Sequence, residues 1–219
     1  MDRHDSNKIA RAVLDAYGRR TFAEELGIGL HPPTPQSLFE LLCFSLLSGV
    51  RFHAEIAVLA VGALKRNNWT TPQDLLGSTR EGRASEFQRA GMHRFSLEAA
   101  EMLEDSARML LDNYGGDLNV LRERAGRDRE KERALLSELR GMGDYSVSTF
   151  FREAQAAWEE LFPFIDELQL KVAAELGLPP DAEALRRLVG DEDLPRLGAA
   201  LVRVRLEHGF DIVRQRLSA

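Results

Sequence analysis

Leu136-Ser-Glu-Leu-Arg-Gly-Met-Gly-Asp-Tyr-Ser-Val147 is the stretch on which the reading of this chain turns. Its Gly-x-Gly sits between a short apolar-faced helix with Leu135, Leu136 and Leu139 and a longer one with Val147 and Phe150, so the segment reads as helix, hairpin, helix. Glycine permits positive φ and close backbone approach. The turn can therefore direct free amides, including those opening the second helix, at a phosphate without reading bases. An ordinary tight helix–helix connection has the same pattern, and on this segment alone the two readings stand level.

Outward from the hairpin, nearly every segment repeats apolar residues at helical spacing, and no alternating run flanked by hairpin turns supports a strand. The expected fold class is all-α. The first helix is expected near Asp5 or Ser6 with Ile9, Val13 and Tyr17 on one face, and Pro32-Pro33-Thr34-Pro35 then breaks the chain. Leu38 to Ser48 is apolar on nearly all sides, as suits a helix in the middle of a bundle. Further helices are expected over about 53–65, 72–76, 81–90, 96–113, 135–139, 145–161, 167–176, 182–189 and 194–207. Arg122 to Arg133 interleaves five Arg and a Lys with acids, a pattern that fits a solvated helix face better than a phosphate-binding patch.

The chain of 219 residues, 44% hydrophobic, is long enough for one domain or two small ones with a real core. Its net charge of −6 gives no global reason to expect a nucleic-acid partner. The basic residues divide into 25 Arg and four Lys (Lys8, Lys65, Lys131, Lys171), so a mechanism that needs an amine has few candidates. A single cysteine, Cys43, excludes an internal disulfide and any four-Cys zinc or iron–sulfur site within one chain. With no signal-like or membrane-spanning segment, an intracellular, cytoplasmic location is expected, nucleoid-associated if the source is bacterial. His53 and His93 stand in no ligand-spaced cluster.

A second segment, Phe162-Pro-Phe-Ile-Asp-Glu-Leu-Gln-Leu-Lys-Val172, delivers Asp166 to the start of a helix whose inner face holds Leu168, Val172 and Leu176. An isolated Asp there is most simply an N-cap. Capping does not exclude catalysis, because a carboxylate held ionised at a helix start can stabilise a sugar cation or orient a water.

Taken together and in order, these segments resemble the helix-hairpin-helix (HhH-GPD) DNA glycosylases of base-excision repair, endonuclease III, MutY and AlkA among them. Phe39-Glu-Leu-Leu-Cys-Phe-Ser-Leu-Leu-Ser48 is similar to the family's buried helix, and Phe87-Gln-Arg-Ala-Gly-Met-His93 with Ala99-Ala-Glu-Met-Leu103 to its glycine–helix junction. Leu139 to Ser146 resembles the hairpin Leu-Pro-Gly-Val-Gly-x-x-Thr, Ile165 to Val172 resembles Val-Asp-Thr-His-Val-x-Arg-Val, and Leu206-Glu-His-Gly209 resembles the closing segment. The resemblance runs from Gln36 to Val213.

It implies a two-lobed helical fold with the active-site cleft between lobes, one spanning about 36–134 with the hairpin extending to about 160, the other about 1–35 plus 161–219. It places Asp166 on the catalytic aspartate and gives Gly141, Met142, Gly143, Asp144 and Ser146 to the DNA strand. The expected partner of this monomer is duplex DNA containing a lesion, with no membrane involved. Bifunctional members carry a Schiff-base lysine where this chain has Tyr145, and a phenol forms no imine, so a monofunctional glycosylase with water as nucleophile is expected. Lys171 is five residues past Asp166, about 140° around the helix at about 100° per residue, while Lys65 and Lys131 stay open as amines. The iron–sulfur ligands that follow the closing segment in some relatives are missing, so no cluster and no redox cofactor is expected.

In the loop after Ser48, Val50 or Arg51 stands where a wedge would fill the space of an extruded base, although Val50 fits a core position and Arg51 a phosphate contact equally well. Phe52, Phe95 or Tyr145 could line a base pocket. Arg140 replaces the hairpin proline, and Asp144 sets a negative charge beside the phosphate site unless its side chain turns to cap the helix. Backbone carbonyls of Ser137, Leu139 and Met142 occupy the positions where relatives hold a K+ or Na+ ion. Two rival readings remain: a helix-hairpin-helix DNA-binding protein without catalysis, and a glycosylase/lyase using a non-standard amine.

Overall fold

The computed structural model describes residues 3–49 and 54–217. Among the described residues fourteen α-helices and one 3-10 turn follow one another without a strand, so the chain is all-α. The helices are α1 (Arg3–Tyr17), α2 (Phe22–Leu26), α3 (Pro35–Gly49), α4 (Ala54–Arg66), α5 (Pro72–Gly77), α6 (Arg80–Arg89) and α7 (Ser96–Tyr114). There follow α8 (Leu118–Arg124), α9 (Arg129–Ser137), α10 (Asp144–Ala154), a 3-10 turn at Glu159–Leu161, α11 (Glu167–Glu175), α12 (Ala182–Val189), α13 (Leu194–Leu206) and α14 (Phe210–Leu217). No described helix is long and apolar enough to cross a membrane. The chain divides into two compact units, residues 26–160 and residues 1–25 with 161–219.

In the unit 26–160, α3 is the axis. Thr34 and Ser37 exchange backbone-to-hydroxyl hydrogen bonds at its start, with Pro35 in the first turn where a missing amide costs nothing. Every residue from Ser37 to Ser48 is buried, which explains why this helix is apolar on all sides. α4, α7, α8 and α10 pack around it. The α3–α10 crossing is close: a methyl group at Gly49 would overlap the Ser146 hydroxyl. The buried Arg83 joins α5, α6 and α7, donating to the carbonyls of Leu75 (2.8 Å) and Ser78 (2.9 Å) and pairing with Glu104 at 2.5 Å.

The other unit has its own core, in which Ile9, Ala10 and Val13 of α1 meet Leu194, Leu197, Leu201 and Val204 of α13 beside Ile165, Val172, Leu185 and Val213. Arg203 secures its N-terminal segment through the carbonyls of Tyr17 (3.1 Å) and Arg20 (2.6 Å) and the Glu25 carboxylate (2.8 Å), with its guanidinium 4.3 Å from the Phe22 ring centre.

Two boundaries and three short helices differ from the periodicity. The helix expected over 145–161 ends at Ala154, because tight turns from Ala156 to Glu153 and Ala157 to Ala154 fold the chain back and bury Trp158 against Phe150, ring centres 5.3 Å apart. α9 starts at Arg129 under an Asp128 cap, well ahead of Leu135. α2, α8 and α14 are short helices that apolar spacing alone does not mark.

Candidate functional site

The Gly-x-Gly segment is a tight turn between α9 and α10. Leu139 N–H closes on Leu136 O, and Met142 N–H on Leu139 O, both at 3.0 Å. Gly141 has φ +90°, a conformation that side chains rarely adopt, and a methyl there would overlap the Met102 sulfur and approach Leu46 at 3.2 Å. Met142 is buried, whereas Gly141, Gly143, Asp144 and Tyr145 are exposed. Three contacts hold the turn on α7: Ser106 Oγ donates to Arg140 O at 3.1 Å, and the Arg140 guanidinium pairs with Asp105 at 2.5 Å and Glu101 at 3.4 Å. Arg140 is thus consumed by acids of α7, and Met102 and Ser106 are α7 residues against the turn that sequence reasoning missed.

No side chain caps α10. Its N-cap is Gly143, with φ −71° and ψ 176°, and a methyl there would meet nothing within 4 Å. α5, α6, α8, α9, α11 and α12, by contrast, each carry a Thr or Asp whose side chain accepts a first-turn amide. The helix that opens the hairpin's second arm therefore presents an exposed start with positive partial charge. Asp144 does not cap it but stands in its first turn, exposed. Tyr145 is 44% exposed, and Ser146 is buried at the α3 crossing.

Asp166 is the N-cap of α11 in the other unit. Its Oδ1 accepts the Gln169 amide at 2.9 Å while Gln169 Oε1 accepts the Asp166 amide at 2.6 Å, a reciprocal capping box. Gln169 is fully buried, and a methyl at Gly198 of α13 would lie 2.8 Å from its Nε2, so α13 presses the box closed. The Asp166 side chain itself is partly exposed. Gln169 is a second site-positioning residue that the sequence reading passed over.

Two of the amines left open are now placed. Lys65 Nζ donates to Leu26 O (2.9 Å) and Gly27 O (3.2 Å) and pairs with Glu40 at 2.9 Å, so it closes α3 onto α4 as a bound ammonium rather than standing as a free nucleophile. Lys131 is exposed on α9, and Lys171 is exposed 3.7 Å from Glu167. Phe95 is half-buried at the N-cap of α7, and His93 is exposed. Val50, Arg51, Phe52 and His53 lie outside the described residues.

The arginines of 122–133 turn onto the protein. Arg122 grips Glu160 with two bonds of 2.6 Å, and Arg127 pairs with Glu123 at 2.7 Å. Arg124 donates to Asn113 O at 2.9 Å, Arg129 to Glu160 O at 3.4 Å, and Arg133 lies 5.1 Å from the Phe151 ring centre. The Arg127 pair is the kind of i,i+4 surface contact that charge alternation suggested.

Ser137 ends α9, and Leu139 and Met142 lie in the turn, so the three carbonyls named for a monovalent cation share one short stretch, Leu139 O also accepting the Met142 amide. Among the described residues no group of three or more His, Cys, Asp or Glu could hold a metal ion. No family model matches the sequence, and no curated protein or solved structure matches it either.

Proposed function

We propose that the chain is a DNA N-glycosylase that removes a damaged or mismatched base by hydrolysis. The observation that carries this reading is the hairpin: a glycine turn at positive φ packed closely against Met102 and Leu46, opening a helix whose exposed N-terminus no side chain caps. That start offers amides to one strand's phosphates. Arg140 and the arginines of 122–133 are committed to internal partners and add little to the grip.

Asp166 is assigned to the extruded nucleotide. The base departs with the glycosidic bonding pair, the oxygen of a water bonds to the sugar carbon, and the Asp166 carboxylate stabilises the cationic sugar and takes the water's proton. Tyr145 at the Schiff-base position and Lys65 held by Glu40 favour hydrolysis over lyase chemistry. A monovalent cation, if held, would rest on the Ser137, Leu139 and Met142 carbonyls and reinforce the positive potential of the turn.

The capping box favours one rival, a DNA-binding protein without catalysis, because it gives Asp166 a complete structural role. Duplexes carrying oxidised, deaminated and alkylated bases decide between the readings. Base release with strand cleavage only after alkali is expected, and Asp166→Asn should abolish it. Binding without excision across the panel establishes the module, and cleavage without alkali, trapped by borohydride, establishes the lyase.

A further inference from the structure

Glu132 of α9 is fully buried, and neither carboxylate oxygen meets a hydrogen-bond donor. A buried carboxylate without a donor is strongly disfavoured as an anion, so such a group either finds a partner or gives up its charge. What it does meet is another carboxyl, that of Glu160 in the 3-10 turn. Glu160 is held as an anion: Arg122 of α8 donates to each of its oxygens at 2.6 Å, leaving each a further lone pair, while Arg129 donates to its main-chain carbonyl at 3.4 Å. Two acceptors in contact make a hydrogen bond only if one carries a proton. The remaining charged groups facing the pair are Asp128, which caps α9 and opposes ionisation of Glu132, and Glu123 beside Arg122. The other face of Arg122 is covered by the fully buried Trp158, whose ring centre lies 5.6 Å from the guanidinium carbon.

We infer that Glu132 is a neutral carboxylic acid at physiological pH and donates its proton to the Glu160 carboxylate held by Arg122, a pH-dependent latch that fastens α9 to α8 and to the turn after α10. The latch holds the two arms of the hairpin at their far ends. Any consequence for strand binding rests on the proposed function, whereas the proton itself is tested without a ligand.

Burial, reinforced by the hydrogen bond to Glu160, pushes Glu132 up to about 8. Burial also pushes Glu160 upward, but hydrogen bonds from Arg122 and Glu132 outweigh it and hold it at about 2. An acid raised on folding keeps a proton that the unfolded chain has lost. Between about pH 4.5 and about pH 8, Glu132 therefore lowers the folding constant by up to about tenfold per pH unit, while Glu160 acts with the opposite sign only below about pH 4.5.

The experiment is urea unfolding of the full chain and of Glu132→Gln across that range. The glutamine amide donates to Glu160 without titrating, so the variant should lose about 400-fold less folding constant than the parent between about pH 5 and about pH 8. Carboxyl-carbon NMR of glutamate-labelled parent protein should show one resonance with a midpoint near 8 that the variant lacks. Parallel pH profiles in parent and variant would overturn the inference. Should Glu132→Gln not fold, the parent spectrum decides alone: no glutamate carboxyl titrating above about pH 7 refutes the latch.

Discussion

Asp166 holds two roles that a pair of substitutions separates. As an N-cap it needs one side-chain oxygen, which asparagine also supplies, so Asp166→Asn should leave the free energy of urea unfolding within about 0.5 kcal/mol of the parent while Asp166→Ala loses about 1 kcal/mol. As a catalytic group it needs a negative charge, which asparagine lacks. Loss of excision at parental stability in the asparagine variant is therefore the outcome that assigns the charge to chemistry; parental excision would leave the residue a cap and nothing more. The cap itself was legible, since an Asp ahead of an apolar helical run is the ordinary sign of a helix start. The box was not. Gln169 is buried beneath α13 where Gly198 leaves it room, since a methyl there would lie 2.8 Å from its Nε2, a tertiary approach no local pattern records. Glu132 was not legible: charge alternation put it with the solvated face of 122–133, whereas it stands four residues before Leu136 on the inward face of α9, and nothing near Glu160 in sequence announces the partner that lets an acid occupy that face.

At the scale of elements, the hairpin's two glycines are predicted to behave differently. Gly141→Ala places a methyl in a left-handed conformation and against Met102, and should destabilise the chain by about 2–4 kcal/mol in denaturant unfolding. Gly143 has an ordinary φ and open space around its Cα, so Gly143→Ala should cost under about 1 kcal/mol. If the α10 start receives a phosphate, the same Gly143→Ala should weaken duplex binding several-fold while leaving stability in place; unchanged binding would remove that helix start from the interface. The helices on either side were readable because their apolar residues recur at helical spacing and end in a glycine turn. Their limits were not. α9 begins with five charged residues under an Asp cap, and α10 stops where Trp158 must fold back to be buried, so capping and tertiary burial set ends that periodicity leaves open.

Across the whole molecule, the excess of acid over base and the Arg-rich basic set describe one arrangement. Arginines at 80, 83, 108, 122, 127, 140, 186, 196, 203 and 214 pair with Asp or Glu, so much of the positive charge that composition offers to a nucleic acid is spent on the protein's own folds. The charge count could not show this, because pairing depends on which helices meet. A protein that grips DNA with cationic side chains releases one condensed counterion for each phosphate neutralised, and its affinity falls steeply with salt; neutral amides and a helix dipole release few. Duplex binding by this chain, followed by fluorescence anisotropy over a salt series, should therefore fall with a log–log slope shallower than about −3. A slope of about −6 or steeper would mean that a cationic face, and not the uncapped start of α10, makes the contact. In that event neutralising an exposed base such as Lys131 should reduce the slope by about one unit, while Gly143→Ala should leave it unchanged.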